Sequence, residues 1–208
     1  DDDADLDEAV KGVIHSAFGY QGQKCSACSR AIVVDSAYER FLQRLSEATK
    51  SIITGPASDP STLVGPVIDL EAHDRISHTI EAAKMRCKLV AKGPQPSSTV
   101  CRSPLIAPVI FADIPPGDPI LRQEIFGPVL AVLRAKDFDD ALRIALDSEY
   151  ALTGAVFSRS PEHIDKAMRE FRVGNLYINR GCTGALVHRQ PFGGARMSGV
   201  GSKAGGPD

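Results

Sequence analysis

Short apolar runs rich in β-branched residues alternate along this chain with stretches whose apolar residues recur at helical spacing, and that alternation restricts the possible fold most. Runs at residues 31–34, 88–90, 106–111, 129–133, 153–157 and 175–178 have the length and composition of buried strands. From Asp3, an acidic cap and first turn lead into Leu6, Val10, Val13, Ile14 and Ala17, a helix that ends near Gly19. Ser36 is placed to cap a second helix carrying Tyr38, Phe41, Leu42, Leu45 and Ala48, which Gly55-Pro56 breaks. A third helix is predicted over residues 69–84. Another begins at Ser160-Pro161, a cap followed by proline where its missing N–H costs nothing. Strands alternating with helices predict an α/β domain on a largely parallel sheet flanked by helices. The proline- and serine-rich stretch 94–104 reads as a surface loop, and with no repeat or internal boundary residues 1–208 read as one domain.

Composition narrows the class. At 208 residues and 43% apolar content the chain can bury a full core. A formal charge of -2 with the two signs mixed leaves no basic field of the kind nucleic-acid binding needs, so no nucleic-acid partner is expected. No apolar stretch approaches the roughly 18 residues of a membrane span, and no secretory leader opens the chain. Five cysteines at irregular spacing fit free thiols in a reducing compartment better than a disulfide framework. A soluble, cytoplasmic location is expected. The chain opens at Asp1 without Met and stops just after Gly205-Gly206-Pro207, and so reads as a piece of a longer polypeptide.

Three segments carry potential chemistry. In Gly22-Gln23-Lys24-Cys25-Ser26-Ala27 a thiol sits among small residues beside a lysine. Nearby cations and oriented N–H groups favour the thiolate that a nucleophile needs. In isolation a structural thiol is the commoner reading of such a cysteine. Cys25 and Cys28 also have the spacing of a redox pair, although such pairs open a helix after a strand and this one precedes a strand. No His-x-x-His or second paired-cysteine element accompanies them, so no metal site is expected. In Gln123-Glu124-Ile125-Phe126-Gly127-Pro128-Val129 a carboxylate able to accept from two vicinal hydroxyls stands next to an aromatic able to pack on a flat ring. A solvated turn before a strand is the plainer alternative. The glycine-rich segment 179–206 offers bare N–H groups at Gly184-Ala185, and Phe192 stands between Pro191 and Gly193. A flexible tail is the alternative there.

Taken together, the three segments follow the order and approximate separations of the aldehyde dehydrogenase superfamily, which the chain resembles along its whole length. Gly22-Gln23-Lys24-Cys25 is similar to that family's cysteine motif. Glu124-Ile125-Phe126-Gly127-Pro128 resembles its cofactor-ribose motif, and Pro191-Phe192-Gly193-Gly194 its substrate loop. Gln21 through Ala27, Thr183-Gly184-Ala185-Leu186-Val187 and Lys203-Ala204-Gly205-Gly206-Pro207 most resemble the Δ1-pyrroline-5-carboxylate dehydrogenase branch, including the module of bifunctional proline-utilisation proteins.

The resemblance implies an NAD-dependent enzyme oxidising a small aldehyde, L-glutamate γ-semialdehyde, to L-glutamate. It implies Cys25 as nucleophile and oxyanion donor through its N–H, with Glu124 on the nicotinamide ribose and Phe126 near the nicotinamide. Lys24, Ser26, Gly184, Ala185 and Phe192 would contact substrate, with Ser26 and the backbone of Gly184 and Ala185 on its far carboxylate. It also implies a homo-oligomeric full-length protein, located in the mitochondrial matrix if eukaryotic, whose general-base glutamate, oxyanion asparagine and Rossmann-like domain precede Asp1. The segment completing the subunit interface would follow Asp208. His188-Arg189 depart from the family's small or uncharged residues, and Ala185 leaves only an N–H where a hydroxyl residue is usual. Two other readings stay open: another NAD(P)-dependent aldehyde dehydrogenase, and a non-catalytic domain with a structural or redox thiol.

Overall fold

Asp5, not Asp3, caps the first helix of the computed structural model, which describes residues 1–94 and 104–206. Its carboxylate accepts from the Asp7 and Glu8 N–H groups and starts α1 (Leu6–Phe18). Asp3 is held elsewhere, because its carboxylate accepts from the Ser158 hydroxyl and the Arg159 N–H. The first strand, β1 (Arg30–Val34), runs straight into α2 (Asp35–Lys50). Ser36 therefore lies inside the helix rather than capping it. The last strand residue, Val34, is already extended and takes the cap position without a side-chain bond.

Farther on, Asp69 caps α3 (Leu70–Lys84), accepting from the Ala72 N–H, close to where the sequence places that helix. Next come β2 (Lys88–Lys92), β3 (Val109–Ala112), β4 (Val129–Ala135) and α4 (Phe138–Leu146). The third strand starts later than the apolar run predicts because Pro108 has no N–H for a ladder. Most of the predicted 94–104 loop lies outside the described residues. The remaining elements are β5 (Tyr150–Ala151), β6 (Thr153–Val156), α5 (Pro161–Glu170), β7 (Asn175–Ile178) and β8 (Ala195–Arg196). Ser160 caps α5 as predicted, with its hydroxyl accepting from the His163 N–H.

Four strands form one sheet in the order β1-β4-β3-β2. β1, β4 and β3 are parallel, and β2 closes the edge antiparallel to β3. Alternation along the strands buries both faces. Ile110, Leu130 and Val132 pack under α1 and α2 with Val10, Phe18, Phe41 and Leu45. Val109, Phe111 and Val129 pack with Ile76 and Ile80 of α3. Helices on both faces are what nearly continuous apolar strands require. A second parallel pair, β6 and β7, is joined through α5, and β5 pairs antiparallel with β8. No described helix is long and apolar enough to cross a membrane.

Parallel pairing of β1 with β4 has a consequence for the loops that precede them. Arg30 lies opposite Ala131, and the Ala131 N–H donates to Ser29 O at 3.0 Å. The segment leading into β1 contains Cys25, and the segment leading into β4 contains Glu124 and Phe126. Both motifs are thereby brought to the same end of the sheet.

Candidate active site

Cys25 stands on a tight turn closed by the Ala27 N–H donating to Lys24 O at 3.0 Å. Its side chain is exposed, whereas Ser26 beside it is buried. The approach to the turn is unusual, since Tyr20, Gln21 and Gly22 all take left-handed backbone, at φ of 53°, 59° and 67°. Only glycine adopts that region without steric cost. The turn is also held from outside, by the Gln23 side-chain oxygen accepting from the Ile68 N–H at 2.9 Å. The Lys24 ammonium lies over the Tyr20 ring, 4.4 Å from its centroid.

The Glu124 segment is fixed by α3. Arg75 donates to Ile125 O at 2.5 Å, and Ile76 packs on Gly127, where a β-carbon would come within 2.7 Å of it. Phe126 takes left-handed backbone, φ 53°, and remains 37% exposed. Glu124 is exposed, and among the described residues no hydrogen bond engages its carboxylate. A cleft of about 360 Å³ is lined by Lys24, Cys25, Glu124 and Phe126 together, with Met197 and Ser198 closing it from the C-terminal segment. Phe126 also faces a second groove shared with Tyr20, Ile68 and Arg75.

Ser26 points away from that cleft into the protein. Its hydroxyl donates to Thr183 Oγ1 at 3.2 Å, which ties the Cys25 turn to the residue preceding Gly184. Gly184 is exposed with φ 82°, and a β-carbon there would meet nothing within 4 Å. It is therefore the backbone turn that calls for glycine at 184, whereas Gly193 is demanded by space, since its β-carbon would lie 2.1 Å from Ser202 O. Ala185 is half-buried beside Gly184.

Phe192 stands apart from the cleft lining. Its backbone exchanges two 2.8 Å hydrogen bonds with Ala204, and the Asn175 side chain donates to Pro191 O at 2.9 Å. Lys203 donates to the carbonyls of Gly174 and Gly193. This segment is consequently a bonded loop and not a loose tail. The geometry thus gathers Lys24, Cys25, Glu124 and Phe126 in one cleft and links Ser26 to the Gly184 turn. It sets Phe192 on a separate loop.

Several contributors were not singled out from sequence. Ser16 is buried on α1, its hydroxyl accepting from the Cys182 N–H at 3.2 Å and its carbonyl from the Cys28 N–H at 3.0 Å. A serine interrupting an apolar stripe was the available signal. Arg75 and Met197 gave none, because each reaches the site from a distant part of the chain. Cys28 does not pair with Cys25, since the four described cysteines are free and the Cys28 thiol donates to Arg30 O at 3.5 Å.

A largely parallel sheet with helices on both faces thus carries an exposed thiol and an exposed carboxylate that line one cleft at its end. The aldehyde dehydrogenase family model matches residues 1–208, and the chain belongs to that family. It is 52% identical over 208 residues to a 1-pyrroline-5-carboxylate dehydrogenase of Geobacillus sp. (strain WCH70), covering 100% of this chain and 40% of that protein. Among solved structures, proline utilization A (PutA) from Bdellovibrio bacteriovorus superposes with a TM-score of 0.94 at 56% identity, over 99% of this chain and 21% of that one. A Thermus 1-pyrroline-5-carboxylate dehydrogenase with bound NAD gives 0.92 at 46% identity, over 98% and 39%. The chain spans about 40% of the length of the curated relatives it matches.

Proposed function

We propose that these residues are the thiol-bearing part of a longer polypeptide that oxidises L-glutamate γ-semialdehyde, the open form of Δ1-pyrroline-5-carboxylate, to L-glutamate with NAD. The observation that carries this is the shared cleft of Cys25, Glu124 and Phe126. The names of the relatives supply the substrate class. An exposed carboxylate without a protein partner and an exposed ring locked in left-handed backbone fit a ribose diol and a flat heterocycle. When bound, NAD accepts the hydride.

In this reading the Cys25 thiolate attacks the aldehyde carbon, forming a C–S bond and a tetrahedral oxyanion stabilised in part by the Cys25 N–H. Loss of hydride leaves a thioester on Cys25, which water hydrolyses to the acid and the free thiol. Glu124 would hold the ribose, and Phe126 would pack beside the nicotinamide. Gly184 and Ala185 present their N–H groups to the far carboxylate, and the Ser26–Thr183 bond fixes them relative to the turn. Lys24 adds positive charge on the same turn, and Phe192, on its separate loop outside the cleft lining, is assigned the aliphatic part of the substrate by the family resemblance alone. The bacterial relatives support a cytoplasmic location, and the full-length protein is read as a homo-oligomer.

The test is an assay of NAD reduction by the full-length protein, with glutamate semialdehyde and with an aldehyde of equal length lacking the far carboxylate. One unpaired donor costs roughly 1 to 3 kcal/mol, so kcat/KM is expected to fall about 5- to 150-fold for the second substrate. Equal rates would point to a different aldehyde dehydrogenase. Cys25→Ala is expected to abolish turnover and leave the melting temperature unchanged, because the side chain is exposed. Substantial turnover by that variant would refute the thiol mechanism.

A further inference from the structure

We infer that Cys28 and Cys182 form a peroxide-sensitive dithiol that closes to a disulfide and thereby disables the turn carrying Cys25. One residue of α1 brings the pair together. The Cys28 N–H donates to Ser16 O at 3.0 Å and the Cys182 N–H to Ser16 Oγ at 3.2 Å, although 154 positions separate the two cysteines in sequence (182 minus 28). The Cys28 thiol donates to Arg30 O and the Cys182 thiol to Ser26 O, each at 3.5 Å, on the two sides of this Ser16 contact. Both line a cavity of about 240 Å³ between α1, β1 and β6, which has room for a molecule the size of hydrogen peroxide.

The link to the active turn is direct. Cys182 Sγ donates to Ser26 O at 3.5 Å, and Ser26 follows Cys25. Thr183, which follows Cys182, receives the Ser26 hydroxyl. The two thiols differ in acidity: the Cys28 thiol, engaged by Cys182 and buried, is pushed well above the usual thiol range. The Cys182 thiol is drawn down to about 7, chiefly by its hydrogen bond with Cys28 and further by Ser16 and Thr153, against the effect of burial. Cys182 is thus the better nucleophile of the two near neutral pH.

Its thiolate attacks one peroxide oxygen, so that an S–O bond forms, the O–O bond breaks and hydroxide leaves to be protonated to water. Cys28 sulfur then attacks the sulfenic sulfur, the S–S bond forms, and the hydroxyl departs as water with the Cys28 proton. Two thiols and one peroxide give one disulfide and two waters. The Ser26 carbonyl loses its S–H donor in a buried place, and the Cys25 turn loses a tether.

The experiment oxidises the full-length protein with hydrogen peroxide, blocks free thiols, digests without reduction and maps linked peptides by mass spectrometry. A Cys28–Cys182 linkage is expected, growing in step with a loss of turnover of about 10- to 100-fold that dithiothreitol reverses. In Cys28→Ala the reversible loss is expected to slow by at least about fivefold. An inactivated enzyme without the linkage, a Cys25–Cys28 linkage in its place, or a variant inactivated at the wild-type rate would each overturn the inference. The wild-type map decides the matter should the variant fail to fold. Loss of turnover as a readout rests on the proposed oxidation of glutamate semialdehyde, whereas the linkage is read without any substrate, so the two can fail separately.

Discussion

Gly22 and Gly127 meet backbone to backbone, so closely that a β-carbon on Gly22 would lie 2.2 Å from the Gly127 carbonyl oxygen. That contact joins the thiol turn to the Glu124 segment, and Gly22 also needs φ of 67°. Gly22→Ala meets both obstacles. Left-handed backbone costs roughly 1 to 2 kcal/mol for a non-glycine residue, and overpacking typically adds about 1 to 3. The variant is expected to melt well below wild type and to lose turnover beyond what its folded fraction explains. Unchanged melting and turnover would show that the two segments are not rigidly joined.

Glu124 touches no protein donor among the described residues, so its replacement should leave the fold alone. In the full-length protein Glu124→Gln is expected to raise the KM for NAD by about 10- to 150-fold, the range for losing a charged hydrogen-bond acceptor. Alkylation of Cys25 should proceed at the wild-type rate, since the proposed partner of the carboxylate is the ribose and not the sulfur. Were both properties to fall together, Glu124 would be a structural residue.

Asp118 is buried, accepts from Arg86 Nε at 2.6 Å and Nη2 at 3.3 Å, and caps the short turn before Glu124 through the Ile120 N–H. Arg86 holds its carboxyl below the usual carboxylate range, with the Ile120 N–H adding to the effect. A depressed folded value means stability that is present above the unfolded pKa, about 3.9, and is lost as pH falls through the folded value. Asp118→Asn keeps a cap acceptor and removes the charge, so a loss of about 1.5 to 3 kcal/mol is expected near neutral pH. Melting curves of both proteins should differ by a constant amount from about pH 5 to 8 and converge in stronger acid. A difference that widens on acidification would show that the ion pair is not the cause.

What was legible in the sequence was local. Asp69 ahead of an apolar stripe and Ser160-Pro161 ahead of another each begin a helix where expected, because a cap needs only its neighbours. Around α1 several acids compete for one cap, and the winner is set by Ser158 and Arg159, which bind Asp3 from far along the chain. The site divides in the same way. Cys25, Glu124 and Phe126 stand out only through short motifs that resemble the family's, and parallel pairing of the strands they precede brings those segments together. Ser16, Arg75 and Cys182 act through contacts made only by the folded chain, and no short-range pattern marks them.

The 208 residues taken by themselves are expected to bind NAD very weakly and to show no NAD-dependent oxidation of glutamate semialdehyde. Dinucleotide binding ordinarily uses a glycine-rich turn from strand to helix to hold the pyrophosphate. Among the described residues β1 passes directly into α2, and the links from β4 to α4 and from β6 to α5 contain no glycine. Around Phe126, Tyr20 is 71% exposed and Ile68 80% exposed, so the ring side of the site stands open to water. Hydride transfer requires the acceptor within near-attack distance of the carbon on Cys25, and such positioning can supply roughly 7 to 11 kcal/mol of a barrier. In the proposed site Glu124 and Phe126 would reach only the ribose and the ring. Calorimetric titration with NAD, paired with an assay for reduced cofactor, checks this directly. Tight binding with steady turnover would mean that the cleft of these residues is a complete active site.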